Sequence, residues 1–124
     1  MINTAGPRAA LPLLLAHPMF TPAYRQQAVK EKLTAILSDY TKRQSVNADP
    51  VMQLDPPAIE RLQNIEAPTL ILIGELDMPD FHSIATILAE QILHAVKIEF
   101  ADVGHVLVIE APEKLNQVIT DFLR

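Results

Sequence analysis

The fold is decided by one stretch near the middle of the chain, Ala67-Pro68-Thr69-Leu70-Ile71-Leu72-Ile73-Gly74-Glu75-Leu76-Asp77. Its centre, residues 69–73, is a run of leucine and β-branched side chains between a proline and a glycine. A continuous apolar run with such boundaries is typical of a strand buried on both faces. Gly74 then begins a turn that carries Asp77 just beyond the carboxyl end of the strand. The stretch therefore predicts a central strand of an α/β sheet.

The residues after this strand predict a helix, a second strand and a last helix. The second strand, residues 96–100, alternates apolar and polar residues, which favours an edge strand exposed on one face. Residues 101–109 predict a loop, and Pro112 begins the last helix. The middle helix is capped by Asp80 and its apolar stripe is Phe81, Ile84, Ala85, Leu88 and Ile92. The last helix points Leu115, Val118, Ile119 and Phe122 inward. A strand–helix–strand order predicts a parallel pair with a right-handed crossover.

The chain before the central strand is predicted to be helical. Residues 22–43 form an amphipathic helix with Thr21 as its N-cap. Its apolar face is Tyr24, Ala28, Leu33, Ile36, Leu37 and Tyr40. Prolines at 7, 12, 18 and 22 predict short helical pieces after a loose tail, residues 1–6. Residues 44–54 predict a loop, and residues 56–64 a short helix capped by Asp55, with Ile59 and Leu62 on one side. We therefore predict a helical segment, 1–54, and an α/β segment, 55–124.

Composition narrows the class of protein. The 124 residues suit one small domain or part of a larger one, and a hydrophobic fraction of 49% is too high for a disordered chain. The net charge of −5 argues against a nucleic-acid partner, since phosphate neutralisation needs clustered Lys and Arg. No apolar run approaches the length of a membrane span or resembles a signal peptide. The absence of cysteine excludes thiolate nucleophiles and Cys-based metal sites. We expect a cytoplasmic protein that needs no cofactor.

Asp77 and His105 are the residues that point to chemistry. Each follows a predicted parallel strand, and open α/β sheets place ligands and catalytic groups at the carboxyl ends of such strands. A carboxylate beside one ring nitrogen of a histidine fixes its tautomer and leaves the other nitrogen free to take a proton. Two plainer interpretations stay open. Asp77 supports the turn or caps the next helix, and His105 is a loop histidine without a role.

Together the two loops resemble the C-terminal half of the α/β-hydrolase family. The resemblance rests on the central stretch quoted above, on Val103-Gly104-His105, and on Ile109-Glu110-Ala111-Pro112-Glu113. It covers about residues 59–124 and implies a partial α/β-hydrolase fold with a helical cap-like N-terminal segment. It also implies that Asp77 is the acid and His105 the base of a Ser-His-Asp triad. The substrate of the complete enzyme would be a small carbonyl compound.

The chain lacks the third member of that triad. No G-x-S-x-G elbow precedes Asp77, and the serines at 38, 45 and 83 lie in or next to predicted helices. One hypothesis is that this chain supplies the acid and base of a serine hydrolase whose nucleophile lies outside it. The alternative is a non-catalytic interaction module from a truncated or split gene. It would associate through its exposed sheet edge.

Two strands make a marginal sheet, so we expect the chain to assemble. The prediction is a homodimer or higher even oligomer joined through residues 69–73 and the N-terminal helices, or complementation by a missing N-terminal half. Further expectations concern individual side chains. His82 is an exposed helix residue, and His17 and His94 belong to no metal set. Met19, Phe20 and Tyr24 are core residues unless they line a substrate cleft. Glu75 is a solvated loop charge.

Overall fold

A computed structural model describes residues 7–44 and 52–124 of the chain. Its helices and strands are α1 (Pro7–Leu15), α2 (Gln27–Gln44), β1 (Thr69–Gly74), α3 (Pro79–Gln91), β2 (Ala95–Phe100), α4 (Leu107–Glu110) and α5 (Pro112–Leu123). Three 3₁₀ segments, Pro18–Phe20, Pro22–Arg25 and Ala58–Asn64, join them. The tail predicted at residues 1–6 lies outside the described residues, as does most of the predicted loop at 44–54.

The sheet confirms the predicted parallel pair. β1 and β2 run parallel, in register from Thr69 opposite Ala95 to Gly74 opposite Phe100, and α3 connects them. α3 covers one face of the sheet, where Ala85 packs against Ile71 and Ile73. The helix begins at Pro79 with Met78 as its N-cap, so the prediction that Asp80 is the cap was wrong. Asp80 lies in the first turn of α3, where its carboxylate interacts favourably with the positive end of the helix dipole.

The prediction that β1 is buried on both faces is wrong for one face. Ile71 and Ile73 are buried, whereas Leu70 and Leu72 are half-buried. The physical reason is the cover on each side: α3 packs along the first pair, and no other described helix packs as closely against β1. The last helix is also less buried than predicted. α5 buries none of its residues, and Ile119 and Phe122, predicted to point inward, are 38% and 36% exposed.

The long helix predicted at residues 22–43 begins five residues later than expected. Pro22–Arg25 is a 3₁₀ segment, Gln26 is extended with φ −113° and ψ 120°, and α2 starts at Gln27. Thr21 makes no side-chain cap hydrogen bond. The buried face of α2 matches the predicted one only in part. Leu33 is buried as predicted and Val29 is buried in place of Ala28, while Ala28, Ile36 and Tyr40 are exposed.

Two shorter predictions also change. α1 continues through Pro12 instead of ending before it. The helix predicted at residues 56–64 is a 3₁₀ segment with Pro57, not Asp55, at its N-cap. In that segment Leu62 is buried but Ile59 is 53% exposed, so the two residues do not share one buried side as predicted.

The N-terminal segment packs on the loop that follows β2. Its buried cluster consists of Phe20, Ala23, Val29 and Leu33, and Val106 and Ile109 pack against it. Val106 is the N-cap of α4 and Ile109 lies within it. This helix is a single turn in a stretch that we predicted to be loop. Contact of α2 with α4 therefore puts the N-terminal segment next to His105. The division of the chain at residues 54 and 55 stays a prediction. No helix in the described part of the chain is long and apolar enough to cross a membrane.

Candidate active site

The sheet brings the two predicted site residues to one edge. Gly74 and Phe100 are paired at the carboxyl ends of the two parallel strands. Asp77 follows the first strand by three residues and His105 follows the second by five. Parallel strands end at the same edge of the sheet, so the loops that carry Asp77 and His105 begin next to each other.

Backbone hydrogen bonds then hold the two loops together beyond the strands. Glu75 N–H donates to the Phe100 carbonyl at 2.9 Å, and Leu76 N–H donates to the Val103 carbonyl at 2.9 Å. The backbone approach is so close that a Cβ on Gly74 would lie 2.1 Å from the Gly104 carbonyl oxygen. Only a glycine at the end of β1 leaves room for this contact. The ladder therefore continues past the sheet and places Asp77 against the histidine loop.

Asp77 and His105 form a close pair. His105 Nδ1 lies 3.0 Å from Asp77 Oδ2 and 3.1 Å from Oδ1. The Asp77 side chain is 6% exposed and that of His105 is 32% exposed. An ionised carboxylate only accepts hydrogen bonds, so Nδ1 is the donor and carries the proton. Nε2 has no hydrogen-bond partner among the described residues and is the acceptor nitrogen of that tautomer.

Asp77 also makes the plainer contact that the sequence left open. Its Oδ1 accepts a hydrogen bond from Met78 N–H at 2.8 Å, within the turn before α3. The same carboxylate thus supports the turn and contacts the histidine.

Aromatic rings border the histidine. The Phe81 ring centroid lies 4.5 Å from that of His105 with the planes tilted by 37°, and Phe20 approaches edge-on at 6.4 Å. A cavity of about 220 Å³ lies beside the pair. Its lining includes Asp77, His105, Phe81 and the β1 residues Ile71 and Ile73, and no serine of the described chain. The arrangement combines one acid–base pair with an otherwise apolar surface.

Glu110 is a site residue that sequence reasoning missed. Its Oε1 accepts from Gly104 N–H at 3.0 Å and its Oε2 accepts from Val106 N–H at 3.0 Å. One carboxylate thus holds the 103–104 and 105–106 peptide groups, one on each side of the Gly104–His105 unit. The sequence signal was its place in Ile109-Glu110-Ala111-Pro112-Glu113, one of the segments that carry the family resemblance, which gave Glu110 itself no role.

Glu75 is exposed, as predicted for a solvated loop charge, and it also connects the two loops. Its Oε2 accepts from Asp102 N–H at 2.7 Å. Asp102, which has a φ of 62°, also accepts two hydrogen bonds from Arg25. Nη1 donates to Oδ1 at 3.0 Å and Nη2 donates to the backbone carbonyl at 2.9 Å. Arg25 belongs to the N-terminal segment, so this chain of contacts connects that segment to both site loops.

The remaining predicted residues lie outside the pair. His82 is half-buried, with Nε2 3.2 Å from the Glu75 carbonyl oxygen and Nδ1 3.8 Å from Glu99. His17 Nδ1 accepts from Met19 N–H at 3.3 Å, and His94 is exposed. Phe20 is a core residue that also touches the site, and Met19 and Tyr24 pack against the same cluster. No group of three potential metal ligands exists within residues 7–44 and 52–124.

The serines do not approach His105 in the described chain. Ser83 is exposed on α3 and donates to the Pro79 carbonyl at 3.1 Å. Ser38 lies on α2, where it lines a separate cavity with Lys30 and Thr34. Ser45 lies outside the described residues.

Comparison with known proteins bears on the fold. No protein-family model and no curated protein matches the chain. Among solved structures, the chain is similar to MenH from S. aureus, an α/β-hydrolase family member, with a TM-score of 0.70 and 24% identity. The match covers 97% of this chain and 46% of the MenH chain, so this chain spans less than half the length of that structure. The similarity, together with the two-strand parallel sheet, establishes a partial α/β-hydrolase-like fold.

Proposed function

We propose that this chain supplies the acid and base of a Ser-His-Asp triad in an α/β-hydrolase-like serine hydrolase, with the nucleophile on a polypeptide segment outside this sequence. The observation that carries the proposal is the hydrogen bond between His105 Nδ1 and the buried Asp77 carboxylate. The cavity beside the pair provides space for a reacting group. We propose the cytoplasm as the location.

The geometry supports a defined division of labour. Nε2 of His105 takes the proton of an incoming serine hydroxyl while the serine oxygen attacks a substrate carbonyl carbon. The proton then passes from Nε2 to the leaving group as the tetrahedral intermediate collapses to an acyl-enzyme. Water repeats the sequence and releases the acid. Asp77 stays ionised throughout and holds the protonated ring in place.

The surroundings of His105 favour a small carbonyl substrate. Phe20 and Phe81 flank the ring, so the non-reacting part of the substrate would contact apolar surface. The N-terminal segment that carries Phe20 takes the place of a cap over the pair in this proposal. Esters, thioesters, amides and activated C–C bonds next to a carbonyl share this chemistry, and none of the steps needs a cofactor.

A serine-directed fluorophosphonate probe tests the proposal. The chain is expressed alone and together with, or joined to, the polypeptide encoded directly upstream of Met1. We expect no labelling of the chain alone and labelling of a serine on the added polypeptide. His105→Ala should abolish that labelling, whereas His94→Ala, an exposed histidine before β2, should leave it unchanged. A labelled complex that is indifferent to His105→Ala would refute the proposed role.

A second candidate is a non-catalytic interaction module, and the outer edge of β1 favours it. Residues 69 and 75 bond to the β2 side, so the alternate residues Leu70 and Leu72 direct their peptide groups away from β2. No described strand pairs with that edge. The occupant that we propose is a second copy of this chain, since two such edges can pair across a two-fold axis. The absence of labelling in any complex, together with a stable dimer, would favour this candidate over the first.

A further inference from the structure

We infer that Glu110 is a positioning residue for His105, and that it acts by fixing two peptide groups, the one that precedes Gly104 and the one that follows His105. The inference rests on the proposed function in so far as His105 is the base. Glu110 itself touches no ring atom of the pair. Its effect passes through the backbone of residues 104–106.

The hydrogen bonds are arranged as a clamp. Oε1 accepts from Gly104 N–H and Oε2 from Val106 N–H, both at 3.0 Å. These two donors belong to the residues on either side of His105. The 105–106 peptide group adjoins the His105 Cα and the 103–104 group precedes it by one residue, so the two bonds restrict the backbone around His105 and the direction of its Cα–Cβ bond. That direction decides whether Nδ1 reaches the Asp77 carboxylate.

The clamp is itself anchored. Glu110 ends α4, and its own N–H donates to the Val106 carbonyl at 2.9 Å. The side chain therefore reaches back across one helical turn to residues 104 and 106, in a half-buried position. Hydrogen bonds from peptide N–H groups to an ionised carboxylate are stronger than those to a neutral acceptor.

Gly104 is shaped to admit the carboxylate. A Cβ at this residue would lie 3.1 Å from Glu110 Oε2 and 2.7 Å from Pro22 Cβ. The glycine thus lets both Glu110 and the N-terminal segment approach the histidine loop. A glutamate is also the residue that can satisfy both donors, since a glutamine presents one oxygen and one NH₂ group. The NH₂ group of a glutamine cannot accept a hydrogen bond, so one of the two N–H donors would lose its acceptor.

The test reads the ring of His105 directly. The ¹⁵N shifts of the ring nitrogens, from long-range ¹H–¹⁵N correlation in alkaline buffer, distinguish a protonated Nδ1 from a protonated Nε2. In the unmodified 124-residue chain we expect a single, fixed Nδ1–H form. Asp77→Asn gives the ring values of an imidazole without its carboxylate. Glu110→Gln should move the ring nitrogens toward those values, while Glu113→Gln, an exposed glutamate in the first turn of α5, should leave them unchanged.

Hydrogen exchange of the strand amides separates positioning from a general structural role. With Glu110→Gln, the protection of the Ile71 and Ile98 amides should remain that of the unmodified chain. Unchanged ring shifts would overturn the inference, as would ring shifts that move only together with lost strand protection. If Glu110→Gln does not fold, Glu110→Asp decides, because it keeps both oxygens but draws them back by one methylene. A partial displacement of the ring shifts supports the clamp, and no displacement overturns it.

This measurement is independent of catalysis. Failure of the labelling experiment with the clamp intact would refute the hydrolase proposal and leave Glu110 as the residue that orients His105. The reverse result, labelling that survives Glu110→Gln with unaltered ring shifts, would refute the clamp alone.

Discussion

A Cβ added to Gly74 would lie 2.1 Å from the carbonyl oxygen of Gly104, a backbone atom that no side-chain rotation can move away. Gly74→Ala must therefore separate the end of β1 from the histidine loop. We expect a loss of at least about 3 kcal/mol in the free energy of unfolding, at the upper end of the cost of overpacking. Urea denaturation measures it. Gly104→Ala should cost less, since its nearest contact is the Pro22 side chain at 2.7 Å, and the opposite order would contradict this account.

Asp77→Asn should lower the turnover of the reconstituted hydrolase by about 10⁴-fold, because an amide no longer selects the Nδ1–H tautomer. The measurement is kcat on an ester substrate of the labelled complex. Asp121→Asn, at an exposed aspartate on α5, is the matched control and should retain full turnover. A loss smaller than tenfold at Asp77 would argue that the contact with Met78 is its main role.

The isolated chain should not hydrolyse p-nitrophenyl acetate beyond the weak rate of free imidazole. It lacks a nucleophile elbow, and no described serine lines the cavity beside His105. Any residual rate should be lost with His105→Ala and persist in Ser83→Ala and Ser38→Ala. Turnover that depends on one of these serines, or on Ser45, would overturn the assignment of the nucleophile to another polypeptide.

Stability should fall above about pH 10 through Tyr24. Burial raises the pKa of this phenol above its ordinary value of 10.0, and its hydroxyl donates to the Leu15 carbonyl. The unfolded chain then loses the proton at lower pH than the folded chain, so the stabilisation is complete below pH 10 and is lost as pH rises through the raised pKa.

Tyr24→Phe tests this titration by urea denaturation at about pH 8 and about pH 11. At the lower pH the variant should be about 1 kcal/mol less stable, because the hydrogen bond is gone. At the higher pH the gap should narrow. Tyr40→Phe, at the other tyrosine of the chain, is the matched control. If the free energies of unfolding of Tyr24→Phe and of the unmodified chain change with pH in the same way, the Tyr24 phenol is not the cause of the loss of stability.

Sedimentation equilibrium at micromolar concentration should give twice the chain mass of 13.8 kDa if the β1 edge pairs with a second copy. Leu70→Pro removes an N–H on the outer edge, where proline is tolerated, and should shift the protein toward monomer. Ile71→Pro removes an N–H on the β2 side and should unfold the sheet. A cooperatively folded monomer in the unmodified protein would end the dimer proposal.

The acid–base pair could be predicted from the sequence because its signals are local. Each of Asp77 and His105 follows an apolar strand pattern, and strand ends in a parallel sheet meet. The clamp at Glu110 could not be predicted, since it depends on the helical turn of α4 within a stretch without helical periodicity. The break at Gln26 has no glycine or proline to mark it. Leu72 is only half-buried because no other described helix covers that face of β1 as closely as α3 covers the opposite face, and no residue within the strand encodes this difference.

The contacts around the site differ greatly in sequence separation, and this has a consequence for the order of folding. Asp77 and His105 are 28 positions apart, whereas Arg25 and Asp102 are 77 apart. Closing the longer loop costs about 1 kcal/mol more in chain entropy. We therefore expect residues 69–110 to reach their arrangement first and the N-terminal segment to dock afterwards on a surface that is already formed. During that interval His105 stands paired but uncovered, and the last step of folding is the arrival of Phe20 at the edge of its ring.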